Sequence, residues 1–419
     1  MFNKKKLGTV ALALGTTLAL TATSAWAKTT LTVASFPSFD LAVQSAIPLY
    51  KKINPDVEIK LVSLAYGDHH NAMTTALATG GNLPDVMGIE YGYIGRFASS
   101  GGLEDLRAAP YSAEQYEKLF SKFTVPLATG GSGTLAAIPA DIGPGALFFR
   151  EDIFTKAGVT EEDLIKDWDS FIAAGKKIKE TTGSYLVASA VDIKDVVIRS
   201  GLKDGEGIYF DAEGNITVNN DRFKEAFRLA KAVREAGIDA QVGAWSSEWT
   251  EGLRRGTIAS QMMGAWLGGH LANWIAPESK GLWRSAALPG GTYASWGGSF
   301  YAIPKKAKNK AEAWEFIKFM TMDKEMQIAA FRDLDAFPAL VEAQNDDFIN
   351  QPIPYLGGQV ARVEWKNSAD RIPAMDVHKH DPVAEQIIND ALEGVLERDE
   401  NIDAALAEAE KQIKRRARR

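Results

Sequence analysis

Leu31-Thr32-Val33, Val57-Glu58-Ile59-Lys60-Leu61 and Asp85-Val86-Met87-Gly88-Ile89 are three short apolar runs near the start of the chain. The first two alternate with the period of a half-buried strand, and the third is the continuous run of a fully buried one. Leu41 to Ile53 between them has helical spacing and stops at Asn54-Pro55. A second helix is predicted over Asp68 to Ala78, ending at Gly80-Gly81. Strand, helix, strand, helix, strand is the rhythm of βαβ crossovers, so the fold class is α/β.

The rhythm restarts after Pro139. Leu147-Phe148-Phe149 reads as a strand, Asp152 to Ala157 and Trp168 to Lys179 as helices. Asp221 to Ala236 carries Phe223, Ala226, Phe227, Ala230 and Val233 on one helical face. Ile258 to Met263 reads as another buried strand. A long helix is predicted from Lys310 to Phe331, and the remainder as helices broken by prolines. At 419 residues the chain exceeds what one core usually fills. The expectation is therefore two lobes, each a mixed sheet flanked by helices, with a cleft between them. The chain should cross between lobes at Pro139 and again near Leu288-Pro289. This divides it into an N-terminal lobe of 28–138 and 290–332 and a C-terminal lobe of 139–289 and 333–419.

The first residues speak to compartment. Lys4-Lys5-Lys6, the apolar stretch Leu7 to Leu20 and Ala25-Trp26-Ala27 have the form of a secretory signal peptide. Cleavage near Ala27 would leave residues 1–27 behind and place the protein in the periplasm. The sequence has no cysteine, so neither disulfides nor a lipid-bearing cysteine at the mature terminus are expected. The formal charge is −7 and becomes three units more negative without the leader lysines. An acidic chain lacks the electrostatic footprint of a nucleic-acid binder. Membrane insertion is not expected beyond the leader, and a monomer is.

Several segments together resemble the extracellular solute-binding proteins (family 1) of carbohydrate ABC transporters, similar in fold to the maltose-binding protein. They are Gly81-Asn82-Leu83-Pro84-Asp85-Val86, Phe97-Ala98-Ser99-Ser100-Gly101-Gly102-Leu103 and Ile138-Pro139-Ala140-Asp141. Phe149-Arg150-Glu151-Asp152, Met262-Met263-Gly264-Ala265-Trp266, Gly297-Gly298-Ser299-Phe300-Tyr301 and Ala313-Trp314-Glu315-Phe316-Ile317 complete the series. The resemblance implies a two-lobe clamp that closes on a mono- or oligosaccharide and docks on the permease subunits of an importer. It implies no catalysis and no cofactor.

A sugar presents flat C–H patches and a rim of hydroxyls, so its site needs aromatic rings beside hydrogen-bonding groups. The chain has ten tryptophans. Trp266 sits at a Gly-Ala-Trp-Leu-Gly-Gly turn after a predicted strand, and the resemblance gives it the stacking role. Trp245 and Trp249 share a polar loop, with one expected in the cleft and the other over a helix. Trp296 precedes Gly297 and Gly298, which let backbone approach a ring. Phe36 and Ser38 follow the first strand, and Glu90 and Tyr91 the third, at the carboxyl ends where open α/β sheets bind ligands. Asp141 stands two residues past Pro139, as a hydroxyl acceptor. For Glu90 the competing reading is a helix cap.

No metal is expected. His69 and His70 are adjacent on a helix and diverge, and His378 and His380 have no further ligand motif. The alternatives are a non-sugar solute or a carbohydrate-degrading enzyme. A polyamine site needs more acids than the aromatic loops carry, and an iron site recruits paired tyrosines. No nucleophile elbow, zinc motif or phosphate loop is present.

Overall fold

The computed structural model describes residues 28–130 and 133–417. The expected leader, residues 1–27, lies outside the described residues. Among the described residues there are eight strands: β1 Thr29–Ser35, β2 Val57–Ser63, β3 Val86–Glu90, β4 Ile138–Arg150, β5 Ser260–Gly264, β6 Trp283–Ala286, β7 Ser295–Ala302 and β8 Phe337–Pro338. They run in the order β2-β1-β3-β7-β4-β5, with β6 and β8 also on β4. The parallel pairs β1–β2 and β1–β3 are the crossovers legible in the sequence; β7 then joins β3 antiparallel.

Asp85, at the foot of β3, ties this half together. Its carboxylate accepts from the Thr32 amide at 2.9 Å and from the Lys308 and Asn309 amides at 3.2 and 3.0 Å. Two of the family-like segments, Gly81–Val86 and the run into Ala313-Trp314, thus meet at one buried carboxylate.

β4 and β7 make the link between the halves. The first residues of β4 pair with β7, Ile138 opposite Tyr301 and Asp141 opposite Ser299. From Gly145 onward β4 pairs instead with β5 and β6. The register slips between Pro139 and Asp141 and between Ile142 and Pro144, marking bulges where the ladder bends. The segment that begins at Pro139 is thus shared with Ser295 to Gly298 of β7, while Leu288 packs beside Gly145.

One expectation is corrected, the helix predicted from Lys310 to Phe331. It is two helices, Lys310–Met322 and Lys324–Leu334, because Asp323 adopts an extended backbone and its side chain caps the second helix through the Met326 amide. In the second half, helices Ala190–Arg199, Asp221–Glu235, Asp381–Arg398 and Ile402–Arg416 pack on one another. The last ends in Lys414, Arg415 and Arg416, cations that suit a helix carboxyl end.

Candidate ligand-binding site

A cavity of about 690 Å³ opens between the two halves of the sheet, within the range of small-molecule clefts. The carboxyl ends of β1, β2 and β3 supply one wall. Phe36 and Ser38 follow β1, Tyr66 follows β2 and Glu90 ends β3. Ser38 holds φ 74°, a conformation sparsely used outside glycine, and starts the helix Phe39–Ile53 from there.

Glu90 is both helix cap and wall. One carboxylate oxygen accepts from the Gly92 amide at 2.6 Å and from the Tyr66 hydroxyl at 2.7 Å. The other oxygen has no hydrogen bond among the described residues and approaches Gly297, where a Cβ would lie 3.5 Å away. Burial pushes Glu90 up to about 7, against the Tyr66 and Gly92 hydrogen bonds, and the Glu385 and Asp141 charges add to the rise. Behind it, the buried His70 stacks on Tyr93 and accepts the Glu90 amide through Nε2.

The opposite wall is aromatic. Trp266, His270 and Trp274 recur every four residues, as helical neighbours do. They run through Leu267–His270 and the π turn Leu271–Ile275 that follows. Trp245, also at positive φ, stacks on Trp266 with ring centres 5.8 Å apart and planes at 22°. The Trp266 indole N–H donates to the Trp296 carbonyl at 2.8 Å, which fixes the ring. Gly264 and Gly143 make room for this contact: a Cβ on either would sit within 3 Å of Trp266 Nε1. Trp245 and Trp274 are 53% and 46% exposed, so large apolar faces stand at the mouth.

His270 bridges the walls. Its Nδ1 lies 3.1 Å from the Trp266 carbonyl oxygen, an acceptor, so Nδ1 carries the proton. Burial holds His270 down at about 4, so the ring is neutral and Nε2 accepts from the Ser38 hydroxyl at 3.1 Å.

Asp141, on β4 between the walls, accepts from Ser299, and burial pushes it up to about 6. Its Oδ1 is buried without a partner, as are the Tyr301 hydroxyl and Gln327 Oε1, all on residues that line the cavity. Such groups are costly unless something meets them. The inner end is apolar, walled by Phe39, Met320, Met326 and Leu334.

The structure thus brings together Phe36, Ser38, Glu90, Asp141, Trp245, Trp266, Trp296, Gly297 and Gly298. Trp249 and Tyr91 do not line the cavity. Trp249 is fully buried beside Trp245 and donates to Gln261 Oε1 on β5 at 2.8 Å. Tyr91 begins the helix Tyr91–Ala98 and turns toward Arg199 and Ser295, because residues consecutive to Glu90 face different ways. Sequence reading missed Tyr66, His270, Trp274, Ser299, Gln327 and Glu385. Tyr66 obeys the strand-end rule that found Ser38, and the four-residue spacing from Trp266 pointed to His270 and Trp274. Glu385 had no local signal.

Residues 34–327 match the family described as bacterial extracellular solute-binding protein. The chain belongs to this family. The lactose-binding protein of Rhizobium radiobacter is 28% identical to this solute-binding protein over 363 residues, 81% of this chain and 82% of the relative. The arabinooligosaccharide-binding protein of Bacillus subtilis (strain 168) is 28% identical over 281 residues, 64% of each. A crystal structure described as an extracellular solute-binding protein family 1 superposes with a TM-score of 0.78 at 26% identity, over 92% of this chain and 99% of its own. The ABC transporter associated binding protein of B. animalis subsp. lactis Bl-04, solved with beta-1,6-galactobiose, shares the two-lobe fold with a TM-score of 0.77 at 24% identity. That alignment covers 92% of this chain and 96% of the other.

Proposed function

We propose that this solute-binding protein captures a mono- or oligosaccharide in the cleft and delivers it to the permease of an ABC importer without altering it. The observation that carries the reading is the stacked Trp245–Trp266 pair facing Glu90 and Asp141 across a cavity of about 690 Å³. The indoles offer flat apolar faces to sugar C–H patches, and the carboxylates, Tyr66 and Ser299 offer partners to the hydroxyls. The relatives named for lactose and arabinooligosaccharides support the same class.

Capture proceeds by hinge closure. β4 and β7 carry the two halves, and a ligand that touches both walls favours the closed arrangement. The lobes we propose are 28–138 with 290–332, and 139–289 with 333–419. No helix among the described residues is long and apolar enough to cross a membrane. The lysine-led start of the sequence supports our placing the protein in the periplasm after cleavage near Ala27, and we propose that it works as a monomer.

Titration with a panel of mono- and oligosaccharides, followed by tryptophan fluorescence and melting temperature, tests the reading. A bound sugar should raise the melting temperature by mass action and be recovered unchanged. Recovery of cleaved sugar, or a response only to amines or metals, overturns it.

A further inference from the structure

Glu90, Asp141 and Glu385 all line the cavity, and among the described residues no lysine or arginine does. The three come from different elements: the end of β3, the bend of β4 and the helix Asp381–Arg398. Arg199 stands behind the wall, its guanidinium 5.0 Å from the centre of the Trp296 ring, 3.0 Å from Asp195 and 3.6 Å from Glu385. Lys194 also pairs with Asp195, so these two cations are matched by Asp195 and Glu385 and leave no positive charge over for a ligand. Glu90 and Asp141 have no cationic partner among the described residues.

Independent atoms point to a ligand in the same space. The Tyr301 hydroxyl and Gln327 Oε1, on side chains 0% and 5% exposed, are unpartnered and line the cavity beside Asp141 Oδ1. Two of these three atoms only accept, so they call for N–H or O–H donors. Around the mouth stand the faces of Trp245, Trp266 and Trp274, whose π clouds attract cations. A cavity with such walls sets a preference by sign of charge, apart from any preference by sugar shape.

We infer that the cleft selects among sugars by charge: it admits neutral sugars, favours amino-substituted ones and rejects acidic sugars. The inference rests on the sugar-binding reading and narrows its substrate class. A ligand carboxylate or phosphate would enter beside three carboxylates in a partly dry site with no arginine to meet it. An ammonium brings up to three donors and no acceptor, which suits Asp141 Oδ1 and the free oxygen of Glu90.

The test uses matched pyranose triplets at pH 7, where the amines carry their proton and Asp141 has lost its own: galactose, galacturonic acid and galactosamine; and glucose, glucuronic acid and glucosamine. Calorimetric titration of the full-length mature protein reads the affinities. In any triplet with a binding member, the acid should bind at least about tenfold more weakly than the neutral sugar, and the amine at least as tightly. Glu385→Gln should narrow the gap between acid and neutral sugar severalfold, and its half-exposed side chain makes misfolding no obstacle. Asp141→Asn should narrow it further. An acid that binds within threefold of its neutral partner overturns the inference and leaves sugar binding standing. If no member of any triplet or of the wider neutral panel binds, the sugar-binding reading itself fails, and this inference with it.

Discussion

Trp266 and Trp249 show how one residue type takes opposite roles at nearly the same depth in the fold. Trp266 is tethered by its N–H to a backbone carbonyl and offers its face to the cavity, whereas Trp249 spends its N–H on Gln261 and both faces on the core. Trp266→Ala should therefore weaken sugar binding by about tenfold or more with the melting temperature little changed. Trp249→Ala should instead cost about 3–5 kcal/mol of stability. Fluorescence titration and thermal melts separate the two, and equal effects on affinity would remove Trp266 from the site. Glu90 yields a pH prediction. Its folded value is raised to about 7 from 4.5, so the folded state holds this proton more tightly than the unfolded one. Stability from that group is full below pH 4.5 and is lost as pH rises through 7. Glu90→Gln keeps an acceptor for Tyr66 and Gly92 without the charge. The variant's advantage in melting temperature should be near zero at pH 4.5 and positive at pH 8, and a constant offset would contradict the assignment.

Among elements, the strands after β3 were harder to place than those before it. β1, β2 and β3 announce themselves by local alternation and by the helices between them. β7 was not read as a strand, because Trp296-Gly297-Gly298 near its start have the composition of a turn. They form a strand only because the bulged end of β4 comes to pair with them, which no local pattern encodes. The same limit hid Glu385, which a remote helix delivers to the cavity, while Ser38 and Glu90 followed from the strand-end rule and Asp141 from its place two residues past Pro139. Asp323 was misread for a different reason. Aspartate inside an apolar-periodic run looks like a solvated helical position, whereas its carboxylate here caps a new helix. Asp323→Ala should cost about 1 kcal/mol. Because Met326, Gln327 and Leu334 on that helix line the cavity, urea melts and sugar titrations should both register the loss.

At the scale of the whole molecule, the hydrogen bond from Ser38 to His270 joins the walls without any ligand. Losing one such bond is worth about 1 kcal/mol, or roughly fivefold in the ratio of closed to open forms. Ser38→Ala should shift the unliganded protein toward a larger radius of gyration by small-angle scattering, and weaken sugar binding by up to that factor. Ser38→Gly removes the same hydroxyl and also relieves the positive φ, so a smaller loss of stability in the glycine variant would identify the backbone cost. No change in radius or affinity for either variant would show that the contact does not bias closure.

The pairing of β3 with β7 has a consequence for how the protein is made. A ribosome releases β3 about two hundred residues before its neighbour β7 exists, and β4 about one hundred and fifty before. Until then the growing chain carries unsatisfied strand edges that nothing local can cover. This topology delays completion of the sheet until most of the chain has been made, without a separate device. It also forbids a shortcut for the experimenter. A fragment ending before Ser295 lacks the strand that both ladders share, and should be recovered as aggregate rather than as an isolated half.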